Sequence, residues 1–367
     1  MKLQNNIENP AGAFAATEED PEQVRLTSFS HGSGCGCKLS PPVLEEVLKS
    51  NLTFPDEERL LVGNHTKDDA AVYDLGEGQA LISTTDFFMP IVDSPFDFGR
   101  IASANALSDV YAMGGRPVLA LSILGWPLGK IPPNVARRVI EGARTVCAEA
   151  GVSLAGGHSI DCPEPLFGLA VNGIAPIEHI KRNDGARVGD LLFLTKPLGI
   201  GILSTAEKKG LLLPEHRGLA SSWMLRLNKL GGELGSWPQV HAMTDVTGFG
   251  LGGHLSELCA AGGLSAVLDF ESIPLLPGLD HYVKCKCVPG GMERNWLSYG
   301  DKIRGTDEYR KVFLGDPQTS GGLLVAVAPE GRDAFCALLE ENGLGDFTTP
   351  LGRLEEARGD GVLIEVR

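Results

Sequence analysis

The sequence predicts an α/β (α+β) protein of two domains, and three observations carry that reading. From Ala70 onward, short apolar runs alternate with longer amphipathic ones. Glycine, with 47 of the 367 residues, gathers in the short loops between those runs. A polar stretch, "IEHIKRNDGARVGD" (177–190), divides the alternation into halves, and each half carries an aspartate just after an expected strand, Asp86 in "STTDFF" and Asp245 in "AMTDVTGFG". The length suits about two or three domains and suffices for a core without disulfide or metal staples. The expected division is a flexible N-terminal segment with a Cys/Lys loop (1–48), an N-terminal domain (49–176) and a C-terminal α/β domain (177–367).

Taken in order, "AAVYDL" and "QALISTTDF" read as strands, and "FDFGRIASANALSDVYAMGG" as a helix closed by Gly114 and Gly115. "PVLALSILGW" is a strand. "PPNVARRVIEGARTVCAEAG" is a helix with proline at its start and glycine at its end. "VSLAGGHSI" and "FGLAVNGIAP" are strands. In the second half, "LLFLTKPLG" reads as a strand, "IGILSTAEKKG" as a helix, and a further helix is expected from about His216 to Leu234. "VHAMTDVTGFGLGGHLSELCAAGG" reads as strand, glycine loop and helix. "SAVLDF" and "GGLLVAVAP" are strands, "GRDAFCALLEENG" a helix, and "PLGRLEE" and "GVLIEVR" short closing strands.

The formal net charge of -15 disfavours nonspecific binding to nucleic acid or to an anionic membrane surface. A phosphate-bearing substrate would need those carboxylates neutralised, and divalent metal is the obvious means. No run reaches the roughly 18 apolar residues of a membrane span. The N-terminus has neither the basic start and apolar run of a signal peptide nor an Arg-rich transit pattern, so a polar leader is expected there. Eight cysteines spread along a chain without a secretory signal point to reduced thiols in the cytoplasm.

The acidic positions form a set. Asp68 and Asp69 stand side by side before a strand, Asp86 follows the next one, Asp109 lies on a helix one turn beyond Asn105, and Asp245 ends a strand before "TGFG". Hard oxygen ligands at several element ends beside Gly-rich turns are what Mg²⁺ carried by a nucleotide requires. Any single one of these aspartates is more economically a helix cap or turn residue; the repeated placement is what favours metal. A G-x-x-x-x-G-K-[ST] loop is absent, which excludes a Walker-type phosphate loop. "LAGGHS", "DVTGFGLGGH" and "DPQTSGG" could instead present backbone N–H groups to phosphates.

The stretch "SHGSGCGCKLSP" admits four readings. Cys35 and Cys37 could form half a zinc site completed by Cys285 and Cys287, although structural zinc pairs favour wider spacing. They could be a redox pair, although Cys-x-Cys matches the C-x-x-C signal poorly. They could belong to a mobile loop in which Lys38 and His31 lower a thiol pKa and the glycines let the loop close over a substrate. A solvated surface loop is the fourth.

Taken together, "SHGSGCGCKLSP", "TKDDAAVYDL", "STTDFFMPIVDSPFDFGRIASANALSDVYAMGG", "AGGHSID", "FLTKPLGIG", "AMTDVTGFGLGGHLSE", "VPGGMERN" and "GDPQTSGG" resemble the motifs of the bacterial selenophosphate synthetase (selenide, water dikinase) family, in order from about Leu26 to the C-terminus. That family sits in the aminoimidazole-ribonucleotide synthetase-like superfamily. The resemblance implies two α/β domains, with the N-terminal domain sheets of two subunits pairing in a homodimer. It implies conversion of selenide, ATP and water into selenophosphate, AMP and orthophosphate, and the product as selenium donor for selenocysteine and selenium-modified tRNA. It implies Cys35 and Lys38 as catalytic residues. Nucleotide contacts would come from Lys38, Thr66, Lys67, Asp68, Asp86, Asp109 and the run Gly157-His158-Ser159, and Mg²⁺ would be held by Asp69, Asp109 and Asp245. It also admits a selenium-delivery protein as partner, and neither nucleic acid nor membrane. Another ATP enzyme of the superfamily, or a cysteine-based metal or redox module, are the competing expectations.

Overall fold

The computed structural model describes residues 20–49 and 57–367, so the polar leader expected before residue 20 lies outside the described residues. Six strands make a first sheet: β1 (Leu60–Val62), β2 (Ala71–Gly76), β3 (Gln79–Phe88), β4 (Arg116–Trp126), β5 (Ser153–Asp161) and β6 (Leu166–Pro176), in the order β1-β2-β3-β6-β4-β5. Only β4 and β5 run parallel, as the helical crossover between them demands. Alternation along β3 turns Ala80, Ile82, Asp86 and Phe88 inward and Phe87 outward. Helix α1 (Pro41–Leu48) follows the Cys/Lys loop, and helices α2 (Pro95–Ala112) and α3 (Pro133–Ala150) lie side by side over the inner face. The opposite face leaves Phe87, Leu119 and Leu121 exposed.

The two helices approach so closely because each offers a glycine. A Cβ on Gly99 would sit 1.9 Å from the Val139 carbonyl oxygen, and one on Gly142 2.0 Å from that of Phe96. Neither position admits a side chain without separating the helices. Ser94 caps α2 through Asp97 N, and Gly151, left-handed at φ 72, ends α3.

The second sheet has seven strands: β7 (Leu191–Leu194), β8 (Val240–Asp245), β9 (Leu264–Leu268), β10 (Ile303–Arg304), β11 (Leu323–Val327), β12 (Gly352–Glu356) and β13 (Ile364–Val366). Their order is β10-β13-β9-β12-β7-β11-β8. Around it run α4 (Ile200–Lys208), α5 (Leu219–Met224), α6 (Leu230–Leu234), α7 (Gly250–Gly262), α8 (Leu279–Lys284), α9 (Gly290–Tyr299), α10 (Glu308–Gly315) and α11 (Arg332–Glu341). β8 is an edge strand that meets α2, as do α5 and α6. Helix α2 is therefore enclosed between the two halves, and nearly all its residues are buried. No described helix is long and apolar enough to cross a membrane.

Several expectations are corrected. The single helix over His216–Leu234 is two short ones, α5 and α6, since Gly218 adopts φ 74 before α5 and residues between them turn inward to bond elsewhere. Asn228 donates to Ser108 Oγ and the Gly321 carbonyl, and the Arg226 carbonyl receives Lys196 Nζ. The strand "LLFLTKPLG" stops at Leu194, where Thr195 Oγ1 takes the Leu323 amide and Pro197 can donate nothing. Asp86 lies within β3 rather than after it. The run "LAGGHS", expected as a glycine loop, lies within strand β5, with Gly156 at φ 146 and Gly157 at φ 150. Strands β1 and β10 and helices α8 to α10 had no clear signal, being short or polar.

Asp316 ties α10 to the start of α4. Its Oδ2 accepts from Gly201 N and Gln318 Nε2, while its buried Oδ1 has no partner. Burial pushes its carboxyl up to about 8, against the pull of those hydrogen bonds. The native state then holds a proton that the unfolded chain releases near pH 4, so stability falls as pH rises from about 4 to 8. Asp316→Asn keeps an acceptor for Gly201 N and cannot ionise. Chemical denaturation at pH 5 and pH 9 should show the variant less pH-sensitive than the parent, by about 1 kcal/mol or more.

Candidate active site

Three carboxylates from distant parts of the sequence meet between the two sheets. Asp69 ends the loop before β2, Asp109 lies on α2, and Asp245 is the last residue of β8. One oxygen of each falls within 4.8 Å of the others. Among the described residues this is the only group of three or more His, Cys, Asp or Glu side chains so placed. The four cysteines of the zinc reading do not assemble, and all eight cysteines of the chain are free.

Hydroxyls hold the acids in position. Thr244 Oγ1 donates to Asp69 Oδ1 at 2.9 Å and Thr84 Oγ1 to Asp109 Oδ2 at 2.5 Å, while Ser108 supports Asp245. Thr84 shares the inward face of β3 with Asp86, and Asn105, Ser108 and Asp109 share one face of α2. Burial raises all three carboxyls, and mutual repulsion adds to it for Asp69 and Asp109. Both of these stand well above the usual range, and Asp245 is at about 6. Asp69 Oδ2 and Asp245 Oδ2 are buried without a partner. Such a set is costly without a cation, and hard oxygens with free lone pairs fit Mg²⁺.

The Cys/Lys loop closes one side of this cluster. Cys35 is 1% exposed; its amide donates to Thr319 Oγ1 at 3.0 Å and its Sγ lies 3.2 Å from Asn105 Oδ1. Lys38 Nζ lies 3.6 Å from Asp86 Oδ2, which also accepts from Asn105 Nδ2 at 2.7 Å. Burial works against the Lys38 charge, but Asp86, Asp109 and Asp245 outweigh it and hold the ammonium well above its ordinary pKa. The expectation that Lys38 and His31 lower the thiol pKa is corrected. Burial, aided by Asp86, lifts Cys35 well above the ordinary thiol value despite Lys38. His31 points away, its Nδ1 on Glu164 at 2.9 Å. In this docked state Cys35 is a protonated, protected thiol.

Thr66, Lys67 and Asp68 form the strap leading into Asp69. Thr66 Oγ1 donates to Asp68 Oδ2, and Asp68 Oδ1 accepts the Asn183 amide at 2.6 Å. The Asn183 side chain clasps the Thr66 and Lys67 carbonyls. Lys67, left-handed at φ 53, reaches Glu45 and Glu257. Gly157, His158 and Ser159 are elsewhere: β5 is an edge strand separated from β3 by β6 and β4. Cross-strand register aligns His158 with Ile123, Gly168 and Phe87, which places it on the exposed face opposite Asp86.

Residues not singled out from sequence complete the site. Thr84, Ser108 and Thr244 each lie within two positions of an aspartate, a signal that was available. Lys196, in "FLTKPLG", is buried and donates to the Arg226 and Ser320 carbonyls at 2.6 and 2.8 Å; burial brings it down to about 7, opposed by Asp245. The loop's docking rests on Gly248, where a Cβ would stand 2.5 Å from the Cys35 carbonyl oxygen. Gly248→Ala should therefore undock the loop, and Cys35 alkylation, followed by peptide mapping, should quicken by about tenfold or more.

Comparison with known proteins agrees with this architecture. The family model of AIR synthase related protein, N-terminal domain, matches residues 67–175, and that of the C-terminal domain matches residues 187–365. Among solved structures, thiamine-monophosphate kinase from Stenotrophomonas maltophilia superposes with a TM-score of 0.61 at 23% identity, covering 85% of this chain and 92% of that one. The enzyme from Aquifex aeolicus does so with a TM-score of 0.60 at 18% identity, covering 89% and 94%. These establish the fold. Curated relatives named selenide, water dikinase are far closer. The Aeromonas hydrophila protein is 59% identical over 343 residues, covering 94% of this chain and 99% of its own length. The Escherichia coli protein is 57% identical over 344 residues with the same coverage. A likeness of this extent, together with both matched domains, makes the chain a member of the selenide, water dikinase family of enzymes.

Proposed function

We infer that the protein makes selenophosphate from selenide, ATP and water, releasing AMP and orthophosphate. The observation that carries this reading is the carboxylate triad, with two buried and unpartnered oxygens, faced by Lys38 and sealed by the Cys35 loop. Asp69, Asp109 and Asp245 would hold Mg²⁺, which when bound neutralises phosphate charge and lets a chain of net charge -15 accept a nucleotide. Thr66, Lys67, Asp68 and Asp86 would contact the nucleotide beside that triad. Lys38, kept charged by its carboxylate neighbours, would meet the phosphoryl group as it passes to selenium. The product's role as selenium donor for selenocysteine and tRNA follows from this reading.

The roles of the chain's groups follow from their placement. In the first step a selenium lone pair attacks the γ-phosphorus and the β–γ bridging oxygen leaves with ADP. In the second, water attacks the β-phosphorus of ADP and AMP leaves. Phosphoryl transfer requires alignment and charge neutralisation more than covalent help. The docked loop excludes water from the first step, where water would compete with selenide. Cys35, buried beside Asn105, is positioned to receive or hand over selenium once the loop opens.

We place the subunits in a homodimer through the outer face of the first sheet, since Phe87, Leu119 and Leu121 are exposed there. His158 shares that face, so pairing would bring it and its neighbours Gly157 and Ser159 to the second subunit. The eight free cysteines favour a cytoplasmic location, and the domain limits 49–176 and 177–367 fit the two sheets. A selenium-delivery protein is compatible with the exposed side of the Cys/Lys loop.

The deciding experiment is anaerobic incubation with ATP, Mg²⁺ and selenide, read by phosphorus NMR. A selenium-coupled phosphorus signal with AMP supports the dikinase; ADP as final product overturns it. Cys35→Ser and Lys38→Ala should each lower selenide-dependent AMP formation by about 100-fold or more. Asp69→Ala or Asp245→Ala should weaken Mg²⁺-dependent nucleotide binding by about tenfold or more in titration calorimetry. Sedimentation should give about twice 38.9 kDa for the parent and the monomer mass for Phe87→Asp.

A further inference from the structure

On the far side of the Cys/Lys loop from the carboxylates lies a cavity of about 860 Å³. The loop itself, one face of α4, the start of α9 and the segment after β3 line it. Its wall carries Lys38, Lys208, Lys209, Arg294 and His31, and no aspartate or glutamate. In a chain with 47 acidic and 32 basic residues, a wall of this composition runs against the general balance. Lys38 is paired with Asp86 and His31 with Glu164. The other three have only backbone carbonyls as partners among the described residues. Lys208 Nζ donates to Ser30 O at 3.3 Å, Lys209 Nζ to Lys286 O at 2.8 Å, and Arg294 Nη2 to Gly36 O at 2.6 Å. A carbonyl satisfies a donor and leaves its charge uncompensated.

A smaller space beside the cavity reaches Cys35. This second space of about 10 Å³, room for about one small ion or water, is lined by Cys35 and shares Lys38, Gly36, Gly291 and Arg294 with the large one. The half-buried Cys37 lines the large cavity and Cys35 the small one, so the two thiols face neighbouring spaces on the same loop.

We propose that this cationic cavity is the port through which selenium substrate enters, as the hydrogen selenide monoanion, and that Lys208, Lys209 and Arg294 collect it. The proposal rests on the dikinase reading. Hydrogen selenide is singly charged at neutral pH, and both the net charge of the protein and the nucleotide phosphates repel it. A separate cationic mouth behind the loop lets the anion approach Cys35 without passing the ATP side. Cavities lined by one sign of charge raise the local concentration and on-rate of the opposite ion, and they do so less as salt screens them.

Lys209 gives the cleanest test, because its ammonium touches Lys286 O and not the loop. Selenide-dependent AMP formation is measured anaerobically for the parent, Lys209→Gln and Lys209→Glu, at low and at moderate ionic strength. The expected result is a KM for selenide raised about tenfold in Lys209→Glu and less in Lys209→Gln at low salt. The gap should narrow as salt is added, with the KM for ATP unaltered. As a second arm, Arg294→Lys should retain a lower selenide KM than Arg294→Gln. An unchanged selenide KM in Lys209→Glu, or an equal rise for selenide and ATP, overturns the proposal. A change confined to inhibition by added orthophosphate would make the cavity a phosphate exit and overturn it too. A parent enzyme that forms no AMP from selenide fails the dikinase reading instead, so the two failures are distinguishable.

Discussion

The side chain of Asn105 is the junction on which the site depends. It is fully buried on α2 and uses both ends of its amide. Its Nδ2 donates to Asp86 on β3, and its Oδ1 accepts the Ser320 amide from the C-terminal half while lying against the Cys35 thiol of the N-terminal segment. One group thus sets the distance between the first sheet, the second half and the loop. An amide suits this position because it offers donors and an acceptor without charge. A carboxylate there would add a further negative group to Asp69, Asp86, Asp109 and Asp245, and an apolar residue would leave Asp86 and Ser320 without their partner.

Around that junction the structure concentrates charge that it cannot itself compensate. Three carboxylates, those of Asp109 and Asp245 buried and that of Asp69 half-buried, repel one another, and two oxygens face no donor. The hydroxyls of Thr84, Ser108 and Thr244 reduce the cost without removing it. Lys38 alone brings a cation close to them from the loop, and Lys196 stands behind Asp245. The arrangement is poorly matched to an empty protein and well matched to a cation with phosphates, which is the direction of adaptation expected of a binding centre. The cost is carried by the surrounding apolar core, which runs unbroken through both halves.

Much of this was legible in the sequence. The long helices α2 and α3, the strand alternation and the aspartates at element ends follow from local periodicity and from where polar residues can stand. The acidic positions Asp68, Asp69, Asp86, Asp109 and Asp245 were readable as a set from their repeated placement beside glycine turns and element ends, and the resemblance singled out Asp69, Asp109 and Asp245 among them. Other features depend on partners distant in the chain. Cys35 is a raised rather than lowered thiol because it is buried, with Gly248, more than two hundred positions away, packed against its backbone, and because Asp86 adds to that effect of burial. The break between α5 and α6 follows from the inward turns of Asn228 and the Arg226 carbonyl, which no helical period announces. His158 faces away from Asp86 through a strand register that composition does not encode. The cationic cavity joins residues near 31–40, 208 and 294, and no single motif contains it.

The origin of the triad has a consequence for synthesis of the chain. Asp69 and Asp109 belong to the first sheet and its helix, Asp245 ends a strand of the second, and Asp69 takes its supporting hydroxyl from Thr244. β8 in turn is held in place by β11, which begins only at Leu323. A ribosome-bound chain can therefore complete the first sheet and still lack the centre that would capture a nucleotide. On the proposed reading of the site, competence arrives late, when nearly all of the polypeptide has emerged.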